Sequence, residues 1–249
     1  VGNPGLHPPK EYKDAINYVN NEMNPHIVHG YMPNAGFEST RTAVAENLNK
    51  RFGANFTFEN IIMTVGAGSS INVIMKTIFD PGDKQIVFAP YFVEYANWAG
   101  NYHAETVVVP PNEANGFEPD PEALKKALDP KVKAVIINNP NNPTGAIYSR
   151  ETLEQIAAVL KDAEKEYGHP IYIITDEPYR ELVYVDKEIV FIPDLYDNTI
   201  IAYSWSKSLS IPGDRLGYLA VSPKSDNVEE FMAAATVANR ISGDTNAPS

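Results

Sequence analysis

The stretch KVKAVIIN at residues 131–138 decides the fold class, because it is apolar along most of its length. The stretch IYIIT at 171–175 has the same character. Strands this apolar are buried on both faces, as in parallel sheets. Between them an apolar stripe recurs at spacings of three and four residues, typical of an amphipathic helix. Its members are Leu153, Ile156, Ala157, Leu160 and Ala163. The pattern therefore predicts two parallel strands joined by a crossover helix, capped by Ser149 and ended by Gly168.

The same alternation of strand and helix patterns extends over most of the chain. Further strands are predicted at 60–65, 84–90, 104–110, 198–204 and 215–222, and further helices at 9–23, 39–53, 71–79, 91–100, 121–128 and 226–241. Ser39 is a candidate cap for the helix that ends at Gly53, and Asp120 precedes Pro121 at the start of another helix. We therefore predict an α/β fold with a mainly parallel sheet.

Composition excludes several classes of function. The chain has 249 residues, no cysteine and a formal net charge of -12. Without cysteine there is neither a disulfide nor a thiolate metal ligand, and no metal site is predicted. The acidic balance and the lack of a basic face predict no nucleic-acid partner. No run of 18 apolar residues and no apolar leader occur, so we expect neither a membrane span nor secretion, and a cytoplasmic location.

Polar groups follow most of the predicted strands. They are GAGSS (66–70), Tyr91-Phe92, NPNNPTG (139–145), DEPY (176–179) and WSK (205–207). Ligands of open α/β sheets bind beyond the carboxyl ends of the strands. Taken alone, each segment also fits a structural role as a turn, a cap or a core aromatic. Together they predict one crevice.

The groups in this crevice suit a single ligand. The glycine-rich turn and Arg215 suit a phosphate, because helix N-termini and guanidinium groups bind anions. Phe92 suits a flat ring, Asp176 a protonated ring nitrogen, and the Lys207 amine a carbonyl carbon. Pyridoxal phosphate combines these four features.

The sequence resembles the class I and II aminotransferases, which are pyridoxal-phosphate enzymes of fold type I. The resemblance is carried by NNPNNPTG (138–145), DEPY (176–179) and SWSKSLSIPGDRLGY (204–218), and weaker matches extend it over the whole chain. It implies the three-layer α/β/α large domain of that fold, with a mainly parallel mixed sheet. Residues 31–249 would form this cofactor-binding domain, and residues 1–30 would border a small domain that is largely missing.

The resemblance also implies a role for individual residues. Lys207 would form the Schiff base with the cofactor and move the substrate proton, and Asp176 would keep the pyridine nitrogen protonated. Asn142 and Tyr179 would hydrogen-bond the phenolic oxygen, and Phe92 would stack on the ring. The phosphate would be held by Ala67, Gly68, Ser204 and Arg215. Gly2 and Asn142 would contact the substrate, and Tyr31 would reach the phosphate in a neighbouring subunit, which implies a homodimer.

The implied reaction is transfer of an α-amino group from an amino acid to a 2-oxo acid. The family's substrate-clamping arginine matches no position here, and the chain starts at Val1. We therefore expect a piece of a longer protein that binds the cofactor but turns over poorly on its own. Two alternatives remain: a carbon–sulfur β-lyase that uses the same cofactor, and a non-enzymatic sensor domain of a transcription regulator.

Two proline bonds beside the predicted site are expected to be cis. They are Ala89-Pro90 and Asn142-Pro143, each in a tight turn after a predicted strand. Cis bonds in proteins are essentially confined to the residue before proline and concentrate in such turns.

Overall fold

The fold is built on one seven-stranded sheet. The computed structural model describes residues 3–243, so Gly2, one of the predicted substrate contacts, lies outside the described residues. The strands are β1 (Ile61–Thr64), β2 (Lys84–Phe88), β3 (Glu105–Val109), β4 (Val132–Asn138), β5 (Tyr172–Asp176), β6 (Thr199–Ser204) and β7 (Gly217–Val221). Their order across the sheet is β1-β7-β6-β5-β4-β2-β3. The β7 strand is antiparallel to both neighbours and every other pair is parallel, which confirms the predicted mixed, mainly parallel sheet.

Helices cover both faces of the sheet. They are α1 (Lys10–Glu22), α2 (Pro25–Val28), α3 (Glu38–Phe52), α4 (Ala67–Ile78), α5 (Glu94–Asn101), α6 (Pro121–Ala127), α7 (Arg150–Tyr167) and α8 (Val228–Ile241). Side chains of α4, α5 and α8 bury against one face, and those of α3, α6 and α7 against the other. The molecule is therefore a three-layer α/β/α structure. Within residues 3–243, no helix is long and apolar enough to cross a bilayer.

The α7 crossover helix follows its sequence signals closely. The Ser149 hydroxyl accepts a hydrogen bond from the Thr152 amide at 3.2 Å, and Gly168 ends the helix with a φ of 75°. The apolar stripe is buried along its whole length. Each buried leucine or isoleucine contributes about 1.5–3 kcal/mol of transfer free energy, so packing holds this helix more than its caps do.

The starts of α3 and α4 differ from the predictions, and α5, predicted from residue 91, begins at Glu94. Helix α3 begins at Glu38 after Phe37, and no side chain caps it, so the prediction of Ser39 as the cap is wrong. Its predicted end is confirmed, because Gly53 has a φ of 67°. Helix α4 begins at Ala67, four residues before the predicted start, directly after Gly66 with a φ of 92°.

The strand directions bring the predicted segments to one edge of the sheet. Thr64 and Ser204 both pair with Gly217, so β1 and β6 end where the antiparallel β7 begins. The parallel strands β2, β4 and β5 end at the same edge, where Asn138 pairs with Asp176. The bonds Ala89-Pro90 and Asn142-Pro143 are cis, as predicted, and Asn139-Pro140 is cis as well.

Candidate active site

Asp176 is a buried carboxylate at the end of the central strand β5. The Tyr95 hydroxyl donates a hydrogen bond to its Oδ2 at 2.5 Å, whereas its Oδ1 is buried and has no partner among residues 3–243. Burial raises the pKa of Asp176 to about 7, the Tyr95 hydrogen bond opposes this rise, and the neighbouring charge of Glu177 adds to it. One oxygen of a desolvated carboxylate thus remains available to a cationic donor.

Asn138, the last residue of β4, holds the backbone around Asp176. Its Nδ2 donates to the carbonyl oxygen of Asp176 at 2.8 Å, and its Oδ1 accepts from the Asn142 amide at 2.6 Å. One side chain therefore fixes both the strand that carries the carboxylate and the turn that carries Asn142. The Asn142 side chain itself is half-buried at this edge.

The turn after β5 is fixed by a buried ion pair. Glu177 and Arg180 are 4% and 3% exposed, and the Arg180 Nε donates to Glu177 Oε2 at 2.5 Å. The Arg180 guanidinium also lies 5.3 Å from the ring centroid of Phe52 and 4.8 Å from that of Tyr203. Tyr179 lies inside this fixed turn, and burial, with the nearby charge of Asp176, raises its pKa.

Lys207 lies in the turn that follows β6. It is half-buried, and its ammonium makes no hydrogen bond or ion pair with any other residue in the range 3–243. The Ser210 amide donates to the Lys207 carbonyl at 3.3 Å, which closes the turn. Ser204, three residues earlier, is buried at the end of the strand. The amine is therefore free for chemistry at the edge of the sheet.

A second part of this edge of the sheet is electropositive, because the N-terminus of α4 and the Arg215 guanidinium lie there. Amides in the first turn of a helix lack intrahelical acceptors, which leaves those of Ala67 and Gly68 pointing outward. Arg215 Nη1 donates to the Pro212 carbonyl at 2.9 Å, and a Cβ placed on Gly66 would lie 2.8 Å from Arg215 Nη2. Arg215 also has a φ of 54°, a left-handed conformation that non-glycine residues adopt only infrequently.

Phe92 belongs to an aromatic cluster beside this helix. Its ring centroid lies 5.6 Å from that of Tyr95 and 5.9 Å from that of Trp98. A Cβ placed on Gly68 would lie 3.2 Å from the Trp98 ring, so a larger residue there would press on the cluster. Phe92 is half-buried and follows the cis bond that ends β2.

Two side chains at the edge were absent from the sequence-based site, and one predicted member lies apart. Tyr95 and Asn138 contact Asp176 directly. Tyr95 follows Phe92 by three residues, but α5 begins only at Glu94, so this spacing alone does not identify Tyr95 as a partner of Asp176. Tyr31 is fully exposed between α2 and α3 and makes no hydrogen bond with the other predicted residues in the described part of the chain. Its role toward a neighbouring subunit stays a prediction, as do the roles of the other site residues.

Solved structures resemble the chain along nearly its whole length. An aminotransferase from Eubacterium rectale superposes with a TM-score of 0.96 and 39% identity, covering 100% of this chain and 62% of that one. Aspartate aminotransferase from Thermus thermophilus, solved with maleate, gives a TM-score of 0.88 at 30% identity over 99% of this chain and 60% of that one.

Sequence comparison identifies the family. An aspartate aminotransferase from Pyrococcus horikoshii is 36% identical over 88% of this chain, and an aspartate/prephenate aminotransferase from Thermus thermophilus is 33% identical over 98%. The chain spans 54% and 60% of the lengths of these two relatives. The profile of the family described as Aminotransferase class I and II matches residues 1–247. The chain therefore belongs to the class I and II aminotransferases, whose members depend on pyridoxal phosphate.

Proposed function

We propose that this chain provides the pyridoxal-phosphate site of an aminotransferase that moves an α-amino group from an amino acid to a 2-oxo acid. The names of its relatives support this activity, because the Pyrococcus horikoshii relative is an aspartate aminotransferase and the Thermus thermophilus relative is an aspartate/prephenate aminotransferase. Acidic amino acids are therefore the first substrates to test.

The observation that carries the proposal is the unpartnered Oδ1 of Asp176. A buried carboxylate oxygen without a hydrogen bond is costly unless a ligand supplies a donor. A protonated pyridine nitrogen is such a donor, and its charge would offset the desolvation that raises the pKa of Asp176. The residues at this edge therefore fit the cofactor.

The phosphate fits the other part of the edge. The first-turn amides of Ala67 and Gly68, the Ser204 hydroxyl and the Arg215 guanidinium are all donors, and the α4 dipole favours an anion there. Gly66 leaves room for Arg215 to lie over the turn. These groups would hold the phosphate and so fix the position of the ring.

The remaining residues would act on the ring and on the substrate. When bound, pyridoxal phosphate supplies an aldehyde that condenses with amines and a ring that accepts electrons. Lys207 would offer its amine to the aldehyde and, once released, take and return the proton at the substrate α-carbon. Asn142 and Tyr179 would donate hydrogen bonds to the phenolic oxygen, and Phe92 would pack against the ring.

A second copy of the chain completes the proposal. Tyr31 is fully exposed and makes no hydrogen bond in the described part of the chain, so its hydroxyl is available to a phosphate in a neighbouring subunit. A homodimer would use it in this way. Sedimentation of the chain with and without cofactor would measure the assembly.

Reduction with borohydride tests the proposal. The chain is loaded with pyridoxal phosphate, reduced and mapped by peptide mass, and we expect the cofactor on Lys207. Lys207→Ala should lose both the label and the visible absorbance band, whereas Lys224→Ala, which removes an exposed lysine, should keep both. A label on a different lysine in the unmodified chain would contradict the assignment. Addition of aspartate or glutamate should then convert the bound cofactor to its pyridoxamine form, and release of pyruvate from cystine would instead indicate a lyase.

A further inference from the structure

Tyr95 contacts both the Phe92 ring and the carboxylate of Asp176. It lies on α5, three residues after Phe92, and its hydroxyl reaches Asp176 on β5 at 2.5 Å. The side chain is 1% exposed. No other side chain in residues 3–243 hydrogen-bonds the carboxylate of Asp176.

The direction of this hydrogen bond is determined by its surroundings. Burial, followed by the charge of Asp176, raises the pKa of Tyr95 well above its ordinary value, so the phenol keeps its proton and donates it. A distance of 2.5 Å between oxygens is typical of a charge-assisted hydrogen bond to a carboxylate. Oδ2 is thereby occupied, and Oδ1 is the oxygen left for a ligand.

Tyr95 is itself held in place by a buried polar side chain. Gln85 in β2 is 0% exposed, and its Nε2 donates to the Tyr95 carbonyl at 2.8 Å and to the Thr106 hydroxyl at 2.9 Å. The Tyr95 ring also contacts Phe92 and Trp98, with ring centroids 5.6 and 6.1 Å away. Contacts to the backbone and to the ring of Tyr95 therefore hold its hydroxyl in position.

We infer that Tyr95 is a positioning residue that acts through Asp176: it occupies Oδ2 and favours the ionised carboxylate, so that Oδ1 stays available to a protonated ring nitrogen. The inference rests on the proposed function, because it concerns the same cofactor. Without the hydroxyl, the carboxyl group could rotate or take up a proton. Either change would weaken its attraction for a ring N–H without disturbing the groups that hold the phosphate.

Two cofactors that differ at one atom test this inference. The equilibrium dissociation constants of the cofactor-free chain are measured for pyridoxal phosphate and for its analogue with carbon in place of the ring nitrogen, from quenching of tryptophan fluorescence. The unmodified chain should prefer pyridoxal phosphate. Tyr95→Phe should reduce this preference by about tenfold, the effect of losing one hydrogen bond to a charged group, and leave affinity for the analogue unchanged.

A matched control separates this role from a general loss of packing. Tyr196 is also 1% exposed, and its hydroxyl donates to the Ile171 carbonyl at 2.7 Å. It lies in the hydrophobic cluster on the face of the sheet opposite to Tyr95. Tyr196→Phe removes the same atom and should leave the preference unchanged. Equal loss of affinity for both cofactors in Tyr95→Phe, or no loss for either, would overturn the inference.

The remaining outcomes also decide the question. If the unmodified chain binds neither cofactor, the proposed function itself is wrong, and the inference about Tyr95, which rests on it, falls with it. If it binds pyridoxal phosphate and the analogue with equal affinity, Asp176 does not distinguish the ring nitrogen from carbon. The inference about Tyr95 then fails, although the chain still binds the cofactor. If Tyr95→Phe does not fold, p-aminophenylalanine at position 95 keeps the shape with a weaker donor, and an intermediate preference is expected. A preference equal to that of the unmodified chain would count against the role of the hydroxyl.

Discussion

The guanidinium of Arg215 lies against the backbone of Gly66, so close that a Cβ at Gly66 would stand 2.8 Å from Nη2. Gly66 follows β1 and Arg215 precedes β7, and these two strands pair antiparallel. The contact therefore couples the turn at the start of α4 to the loop that carries the arginine. It makes Gly66 a sensitive test of the proposed phosphate site.

Gly66→Ala should weaken pyridoxal-phosphate binding by about tenfold or more, because the new methyl group displaces a charged donor. The substitution also strains a backbone with a φ of 92°. Gly82→Ala is the control, since Gly82 has a φ of 93° but open space around its Cβ position. Both variants should lose similar unfolding free energy in urea, of about 1 kcal/mol. Equal losses of cofactor affinity would show that backbone strain alone is responsible.

Arg180→Met should lower the free energy of unfolding by about 3–5 kcal/mol, because it leaves the buried Glu177 charge without its partner. Replacing both members with apolar residues should cost much less. Arg51→Met provides the comparison, because its pair with Glu181 is formed by side chains 39% and 29% exposed. That variant should lose less than about 1 kcal/mol. Urea unfolding of all three variants measures the differences, and a small loss in Arg180→Met would contradict the prediction.

Stability of the cofactor-free chain should fall as the pH rises through the neutral range. Burial raises the pKa of Asp176 from 3.8 to about 7, so between these pH values the folded chain binds a proton that the unfolded chain has released. Asp176 should therefore lower the unfolding free energy by roughly 2–3 kcal/mol between pH 5 and pH 8. Asp176→Asn should remove this part of the pH dependence, and Asp197→Asn, at an exposed carboxylate, should keep it. Identical profiles for Asp176→Asn and the unmodified chain would refute this.

Gly217→Ala should destabilise the chain by about 2 kcal/mol or more, because overpacking against backbone atoms cannot be relieved by side-chain rotation. Its Cβ would lie 2.5 Å from the Tyr203 carbonyl oxygen and 2.8 Å from the Gly66 Cα. Gly213→Ala has open space around its Cβ position and should change the unfolding free energy by no more than about 1 kcal/mol, in either direction. Thermal unfolding compares the two. A Gly217→Ala chain as stable as the control would mean that β6 and β7 can move apart.

Local patterns predicted the layers of this fold better than its helix starts. The apolar stripe of α7 and the residues at its two ends suffice to predict this helix, because periodic burial and capping depend only on residues within or next to the helix. The start of α4 was missed, because Gly66-Ala67-Gly68 has no apolar periodicity and glycine disfavours helix. Tertiary contacts hold it instead: Ser70 Oγ lies 2.7 Å from Thr64 Oγ1.

The contacts among the candidate site residues were predicted only in part, for a related reason. Asp176 and Lys207 follow strands and stand out in apolar surroundings, so their positions predict them. The hydrogen bond from Tyr95 to Asp176 joins residues 81 positions apart, and no local pattern marks such a pair. The Asn138 contacts were missed because this residue looks like the end of an ordinary strand.

The pairing of β1 with β7 has a consequence for synthesis on the ribosome. Strand β1 ends at Thr64, and its sole neighbour in the sheet of the described chain begins at Gly217. At about 5–20 residues per second, the ribosome needs roughly 8–30 s to make the intervening chain. During that time the nascent β1 lacks its hydrogen-bonding neighbour, so the turn at Gly66, which lies against Arg215, cannot take its final form before β7 has been made.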